Sequence, residues 1–289
     1  MAANSNPTVV RRRLGVELRR LRQASGLTST EVAERLMVSQ PKISHLENGR
    51  RSANPRDVRD LCAMYGVRDQ QVIDRLMRMA RESGRAGWWH AYGDLPNSVY
   101  IGLETDAASI HTYEPLLIPD LLQTPAYAQA AIEASTPWLT AEQAAVRLRV
   151  RLRRQRRVYD PARPLRLWVV LDESVLGRVV GGPDIMREQL EHLNALGAEP
   201  HITVRVLPYT AGAHQGMSGQ SSILRLADSP EAGVVYLERF TSDTHLEKPA
   251  DVKSYRAMYD HLQSQALDPD HTRRFITEAF ESYNDARHP

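Results

Sequence analysis

Apolar residues recur at helical spacing through the first eighty positions. Beyond them they collect into short, nearly continuous runs, so the chain predicts a helical head followed by a body of mixed helices and strands. Leu14, Leu18 and Leu21 stand among Arg11, Arg12, Arg13, Arg19, Arg20 and Arg22, an amphipathic helix with a cationic outer face. Thr28 and Glu31 form a Thr-x-x-Glu capping box, which satisfies orphan amides at a helix start. Val32, Ala33 and Leu36 give that helix its apolar stripe. Met37 and Val38 make a turn. Ser39 is placed to cap a third helix, Pro41 is tolerated in its first turn, Ile43 and Leu46 face inward, and Asn48-Gly49 stops it. Asn54-Pro55 opens a fourth helix through Leu61, Cys62 and Tyr65, ended by Gly66, and Val72, Ile73, Leu76 and Met79 mark a fifth.

The polar positions left on the third helix carry the candidate chemistry. Gln40, Lys42, Ser44 and His45 point outward from the N-terminal half of the second helix of a helix-turn-helix, the part that enters the major groove of DNA and meets base edges. Gln40 can pair bidentately with adenine, Lys42 can approach guanine or a phosphate, and Arg50 and Arg51 follow as clamps on the backbone. An ordinary helical hairpin has the same spacing. The flanking helices favour the DNA reading.

Past Ser83, the stretch SGRAG interrupts the periodicity before Trp88-Trp89, a pair that reads as packing. Ile110 to Tyr113 is a short strand. Asp120 to Ala134 reads as helical through Leu121, Leu122, Tyr127 and Ile132, and the capping box Thr140-x-x-Gln143 starts a long helix running to about Val158. LRLWVVL from Leu165, a helix with Met186, Leu190 and Leu193 on one face, and ITVRVL from Ile202 make a strand, helix, strand unit. SSILRL from Ser221 and GVVYLE from Gly233 form a hairpin across a Pro-containing turn. Two helices close the chain, the last opening at Asp268-Pro269. The expected architecture is an all-α N-terminal five-helix domain over residues 1–83 and an α+β C-terminal domain with a mixed sheet over residues 84–289.

Charge sharpens this division. Residues 1–83 hold 16 Lys/Arg against 9 Asp/Glu, net +7, whereas residues 84–289 hold 21 against 26, net −5. A basic head on an acidic body presents one end to phosphates. The lone cysteine, Cys62, lies on an apolar helix face and forms no intramolecular disulfide. No apolar run has the length of a membrane span and the N-terminus is polar, then cationic, so the expected location is cytoplasmic. Only Lys42, Lys248 and Lys253 are lysines, a bias toward arginine that hints at a high-G+C bacterial genome.

Within the body the strongest candidate site is the loop Tyr209 to Gly219, where Gly212, Gly216 and Gly219 surround His214 and let backbone amides approach a ligand. No Gly-x-Ser-x-Gly elbow, Walker-type phosphate loop or closely spaced ligand set accompanies it, so no catalysis, cofactor or metal is expected. Asp172-Glu173 reads as capping of the next segment, and His245, Glu247 and Lys248 as a polar loop with local ion pairs. Arg147, Arg149, Arg151, Arg153, Arg154, Arg156 and Arg157 spread around one helix, leaving Leu148 and Leu152 a narrow buried seam. A solvated face is the default for this run; an acidic protein partner or auxiliary DNA contact are the alternatives. His214, Gly216, Arg147, Arg151 and Arg154 are thus the candidate ligand or partner residues.

The head resembles the XRE (phage Cro/C1 repressor-like) helix-turn-helix family across about residues 10 to 80, most specifically through Ser39-Gln40-Pro41-Lys42-Ile43-Ser44. The resemblance implies a lambda-repressor-like fold and places Ser29 where such repressors touch a phosphate or brace the first base-reading residue. It also puts Met37 where these turns usually carry Gly, at a cost on the order of 1 kcal/mol. The runs IPDLLQTPAYA, RLWVVLDESVL, GGPDIMREQLEHL, ITVRVLPYTAGAHQGMSG and VVYLERF resemble a C-terminal domain of unknown function that follows an XRE head in many actinobacterial regulators, over roughly residues 88 to 280. Asp120 departs from the Gly expected there, and Gln220 to Ser222 lack an often-present aromatic. What this implies is a transcriptional regulator, with a small acidic partner protein encoded nearby. Taken with the head, the expected protein is a homodimer on double-stranded DNA whose body receives that partner or a small-molecule effector. Two alternatives stay open: an antitoxin-like autorepressor that binds a small partner protein, and an enzyme with a DNA-targeting head.

Overall fold

The computed structural model describes residues 6–93, 95, 97–226, 229–240 and 242–283, with the backbone alone at 229–232. Its contacts separate into two compact units, Met1–Asp106 and Ala107–Pro289. Residues 84–106, placed with the body by the break at SGRAG, group with the helical head.

In the first unit, α1 (Pro7–Ala24), α2 (Ser29–Arg35), α3 (Gln40–Glu47), α4 (Pro55–Met64) and α5 (Gln70–Ser83) surround one core. Leu14, Leu18, Val32, Ile43, Leu46, Val58, Leu61, Cys62 and Leu76 are its buried centre, the side chains that the helical spacing turns inward. Burial raises the Cys62 thiol above its ordinary pKa. The capping box at Thr28 is formed on both sides: Thr28 N donates to Glu31 Oε2 at 2.7 Å and Glu31 N donates to Thr28 Oγ1 at 3.2 Å. Gly15 lets α1 cross α3 at backbone contact, for a Cβ there would lie 2.6 Å from the Glu47 carbonyl oxygen. A sixth helix, α6 (Ser98–Asp106), packs on α1, and Asn6 Nδ2 donates to the Gly102 carbonyl at 2.6 Å. Trp88 and Trp89 sit in a 3-10 turn with rings edge-to-face at 5.9 Å, and Trp88 Nε1 donates to Thr105 Oγ1 at 3.3 Å.

The second unit is built on a six-stranded sheet from β1 (Ala107–Glu114), β2 (Arg166–Asp172), β3 (Ile202–Leu207), β4 (Ser221–Leu226), β5 (Ser229–Glu238) and β6 (Asp243–Leu246). Its order is β3-β2-β1-β4-β5-β6. The first three strands run parallel and the pairs from β1–β4 outward are antiparallel, so the sheet is mixed and the body α+β as expected. The β1–β2 crossover carries a 3-10 turn at Asp120–Leu122, α7 (Pro125–Ser135) and α8 (Ala141–Gln155); the β2–β3 crossover carries α9 (Ser174–Gly177) and α10 (Pro183–Leu196). Parallel neighbours require such crossovers. The stretch expected to be helical from Asp120 is broken at Gln123, and the long helix stops at Gln155 rather than Val158. Ala227 and Asp228, between β4 and β5 in the chain, where a Pro-containing turn is expected, lie outside the described residues.

Alternation along the strands puts Ser109, His111 and Tyr113 on one face of β1. There α11 (Pro249–Gln265) seats Tyr259 and Leu262 in a cluster with Tyr113, Val170, Ile223 and Val235. The last helix, α12 (Pro269–Ser282), opens at its Asp268 cap and lies along β3 and α10, where Val206 N donates to Thr272 Oγ1 at 3.1 Å. His245 belongs to β6 and its ring lies 5.2 Å from that of Tyr236, so the polar loop expected there is an edge strand. Four residues at a sheet edge carry too little apolar signal to announce themselves.

Candidate nucleic-acid interface

The helix-turn-helix is α2, the turn Leu36 to Ser39, and α3. Met37 takes φ 52°, the only positive φ of a non-glycine residue among the described residues, and its side chain is 93 % exposed. The turn therefore keeps the left-handed backbone that suits glycine, with a methionine in it.

Ser39 occupies the N-cap position of α3, but its side chain makes no capping hydrogen bond; the expected cap is positional only. Gln40 is exposed at the first turn, and its Nε2 donates to Ser29 Oγ at 3.1 Å. One amide hydrogen of Gln40 is thus held by α2, which leaves its other hydrogen and Oε1 for a partner. His45 is exposed, and Lys42 and Ser44 are half-buried. The Lys42 ammonium lies 3.4 Å from Asp57 Oδ2 on α4. Ser44 Oγ accepts from Asn48 Nδ2 at 3.2 Å, and Asn48 Oδ1 in turn accepts from Arg19 on α1. Arg50 and Arg51 are exposed just beyond α3, their backbone amides donating to the His45 carbonyl. The structure thus brings Ser29, Gln40, Lys42, Ser44, His45, Arg50 and Arg51 to α3 and its two ends.

What holds α3 in this attitude is Glu47. It is 5 % exposed, and Arg22 of α1 forks onto it with Nε to Oε1 at 2.6 Å and Nη2 to Oε2 at 2.9 Å, while Arg19 Nε lies 3.5 Å away. Bonding to this carboxylate raises the pKa of the Arg22 guanidinium further. Arg22 Nη1 also donates to the Leu27 carbonyl at 2.8 Å, tying down the entry to α2. Glu47 stands four residues after Ile43 and one after Leu46, on the inward stripe of α3. That spacing marks it as buried, and a buried carboxylate needs a cation.

In the body, His214 is one of a group at the carboxyl ends of β1 and β2. Tyr113 Oη donates to Asp172 Oδ2 at 3.2 Å, and His214 Nε2 lies 3.8 Å from the same oxygen. Asp172 Oδ1 accepts from Ser174 N at 3.0 Å and Glu173 Oε2 accepts from Tyr209 N at 2.6 Å, so both carboxylates fasten backbone. Gly216 packs flat under Tyr113, where a Cβ would lie 2.6 Å from the ring. Burial and the neighbouring Asp172 raise the Tyr113 phenol. Nearby Glu114, buried, accepts from Thr112 Oγ1 at 2.8 Å and Gln220 Nε2 at 3.0 Å, and burial pushes its carboxyl up to about 8.

The arginine run departs from the solvated face expected of it. Arg151 and Arg154 close on Asp120 from α8, at 3.0 and 2.7 Å, and Arg154 is buried. Arg151 Nη1 also donates to Gln123 Oε1 at 2.8 Å. These two fix the start of the β1–β2 crossover to α8, Arg147 is half-buried, and only part of the run remains open. Among the described residues no cluster of metal-ligating side chains occurs, and no helix is long and apolar enough to cross a membrane.

Comparison with known families finds two matched segments, and the second takes in α6, which packs with the head. Residues 13–76 match a family described as helix-turn-helix domain, which supports DNA as a partner and transcription regulation as the role. No curated protein and no solved structure matches the chain. Residues 98–278, more than half of its length, match the family described as domain of unknown function (DUF5753). A helix-turn-helix head therefore precedes a mixed-sheet body, and by that body the chain belongs to the DUF5753 family.

Proposed function

We propose that the protein is a sequence-specific transcriptional regulator of the XRE (Cro/C1) type, which reads operator DNA in the major groove with α3. The observation that carries this is Gln40, exposed at the N-terminal turn of α3 and braced by Ser29. A glutamine held in one rotamer by a neighbouring helix offers a donor and an acceptor side by side, the pattern that pairs with adenine N7 and N6. Arg50 and Arg51 supply phosphate contacts. The body is read as a non-catalytic effector or partner domain that pairs two heads, so that two half-sites one helical turn apart are held together.

Selection of bound duplexes from a random pool tests the reading, followed by titration of the selected site. Gln40→Ala is expected to relax base preference at one position and to lose about 1–3 kcal/mol on the selected site. Arg50→Ala is expected to weaken selected and random duplexes alike, and to lower the slope of log affinity on log salt by about 1. Equal losses on both duplexes for both variants would overturn the assignment of roles. Light scattering of the protein on its selected duplex tests pairing, with two chains per site expected.

A further inference from the structure

Five arginines of the body meet away from His214, in an open groove of about 590 Å³ at the end of the sheet where β1 and β2 begin. Arg157 and Arg163 of the α8–β2 connection, Arg166 of β2, Arg225 of β4 and Arg256 of α11 converge there, and among the described residues no carboxylate lines it. The convergence is built into the strand register. Ser109 of β1 pairs with Arg166 on one side and Arg225 on the other, so the two guanidinium groups flank a small residue on the same face of the sheet. Two positions along, His111 pairs with Trp168 and the rings stack at 4.5 Å with 6° between their planes, forming the inner wall. Arg256 has Asp260 at 3.0 Å, outside the groove, and Arg157 has Asp160 at 3.8 Å. Arg163, Arg166 and Arg225 have no acidic partner among the described residues.

A second observation is independent of the charge. His111 is 5 % exposed, and its Nε2 lies 3.0 Å from Arg256 Nη1. A guanidinium only donates, so Nε2 accepts and the ring proton sits on Nδ1, which has no hydrogen-bond partner although it is buried. Burial, with the charges of Arg256 and Arg225, pushes this imidazole down to about 3 and keeps it neutral. A buried donor without an acceptor is costly unless something supplies the acceptor.

We propose that this groove is a binding site for a small phosphate ester, its phosphate oxygens forked by Arg166, Arg225 and Arg256 and its organic part laid along Trp168. Several guanidinium groups from separate elements suit a multiply charged, multi-oxygen group better than a single carboxylate. The volume exceeds what a bare anion fills and lies in the ordinary range for organic ligands. The net charge of −5 over residues 84–289 repels a duplex at longer range, so a ligand small enough to enter the groove is favoured over DNA. The inference deepens the effector part of the proposed function and rests on that reading only for its biological role.

Calorimetric titration of the full-length protein without DNA tests it, with ATP, inorganic pyrophosphate and adenosine as probes at one ionic strength. ATP and pyrophosphate are expected to saturate one site per chain, and adenosine to bind far more weakly than ATP. Arg166→Gln and Arg225→Gln are each expected to raise the Kd for ATP about tenfold or more. Arg149→Gln, which removes the same charge from the exposed side of α8, is expected to leave it unchanged. Should either groove variant melt early, Arg163→Gln in the exposed connection gives the same readout. Absence of phosphate binding by the folded wild type, or equal weakening by Arg149→Gln, overturns the proposal. So does a groove that leaves ATP unbound while its variants lose duplex affinity. Because the titration contains no DNA, its failure leaves the reading of the head intact, and loss of operator binding leaves the groove intact.

Discussion

Met37 separates backbone strain from packing, because its φ is 52° while its side chain is almost wholly in solvent. Met37→Gly is expected to stabilise the head by about 0.5–1 kcal/mol, the left-handed penalty less the extra entropy of a glycine in the unfolded chain. Met37→Val is expected to destabilise it, and urea unfolding of both variants decides. Two buried groups set opposite pH dependences in the body. Glu114, with its carboxyl raised to about 8 by burial, contributes stability that is full below the unfolded value near 4.5 and is lost as pH rises through 8. His111, lowered to about 3, contributes stability that is full above 6.5 and is lost as pH falls toward 3. Glu114→Gln is therefore expected to remove the alkaline decline and leave the acid one. Unfolding free energies measured between pH 4 and 9 would show it, and a decline above pH 7 that survives the substitution would contradict it.

At the scale of elements, the attitude of α3 depends on one carboxylate. Glu47→Ala leaves the largely buried Arg22 guanidinium without its counter-charge and is expected to cost about 3 kcal/mol, since removing one member of an enclosed pair strands the other. Glu47→Gln is expected to cost less, and the difference in chemical denaturation midpoints measures the charge itself. The same elements show what a linear reading recovers. Helices α1 to α5 were visible because each carries an apolar stripe at helical spacing, and the boxes at Thr28 and Thr140 close as their spacing requires. Helix α6 was not, since Ile101, Gly102, Leu103 and Glu104 are buried in succession and no polar face breaks them into a stripe. The pairing of Arg151 and Arg154 is hidden from a linear reading for another reason: their partner Asp120 lies 31 and 34 residues upstream, and only the crossover brings it back. Of the candidate interface, residue types and exposure followed from periodicity, whereas the Ser29 brace and the Asp57 partner of Lys42 depend on how neighbouring helices meet.

For the whole molecule, the contact boundary at Asp106 rather than Ser83 makes a prediction about fragments. A chain ending after Ser83 strips α6 from α1 and leaves Asn6 Nδ2 without the Gly102 carbonyl, whereas a chain ending after Asp106 keeps both. The shorter fragment is expected to melt at least about 5 °C below the longer, the shift that roughly 1 kcal/mol produces in a domain of this size. Equal melting temperatures by circular dichroism would place the boundary earlier. The asymmetry of charge, +7 before residue 84 and −5 after it, orients the protein toward a polyanion before any base is touched. Attraction of that kind favours every stretch of a genome equally. In the proposed reading, the carboxylate of Asp57, resting beside the Lys42 ammonium, works against it: an arbitrary sequence must displace a ready-made companion to win that lysine, and only a site offering something better repays the exchange. An acidic residue on the reading surface thereby acts as a competitor carried by the reader itself, trading strength of grip for choosiness.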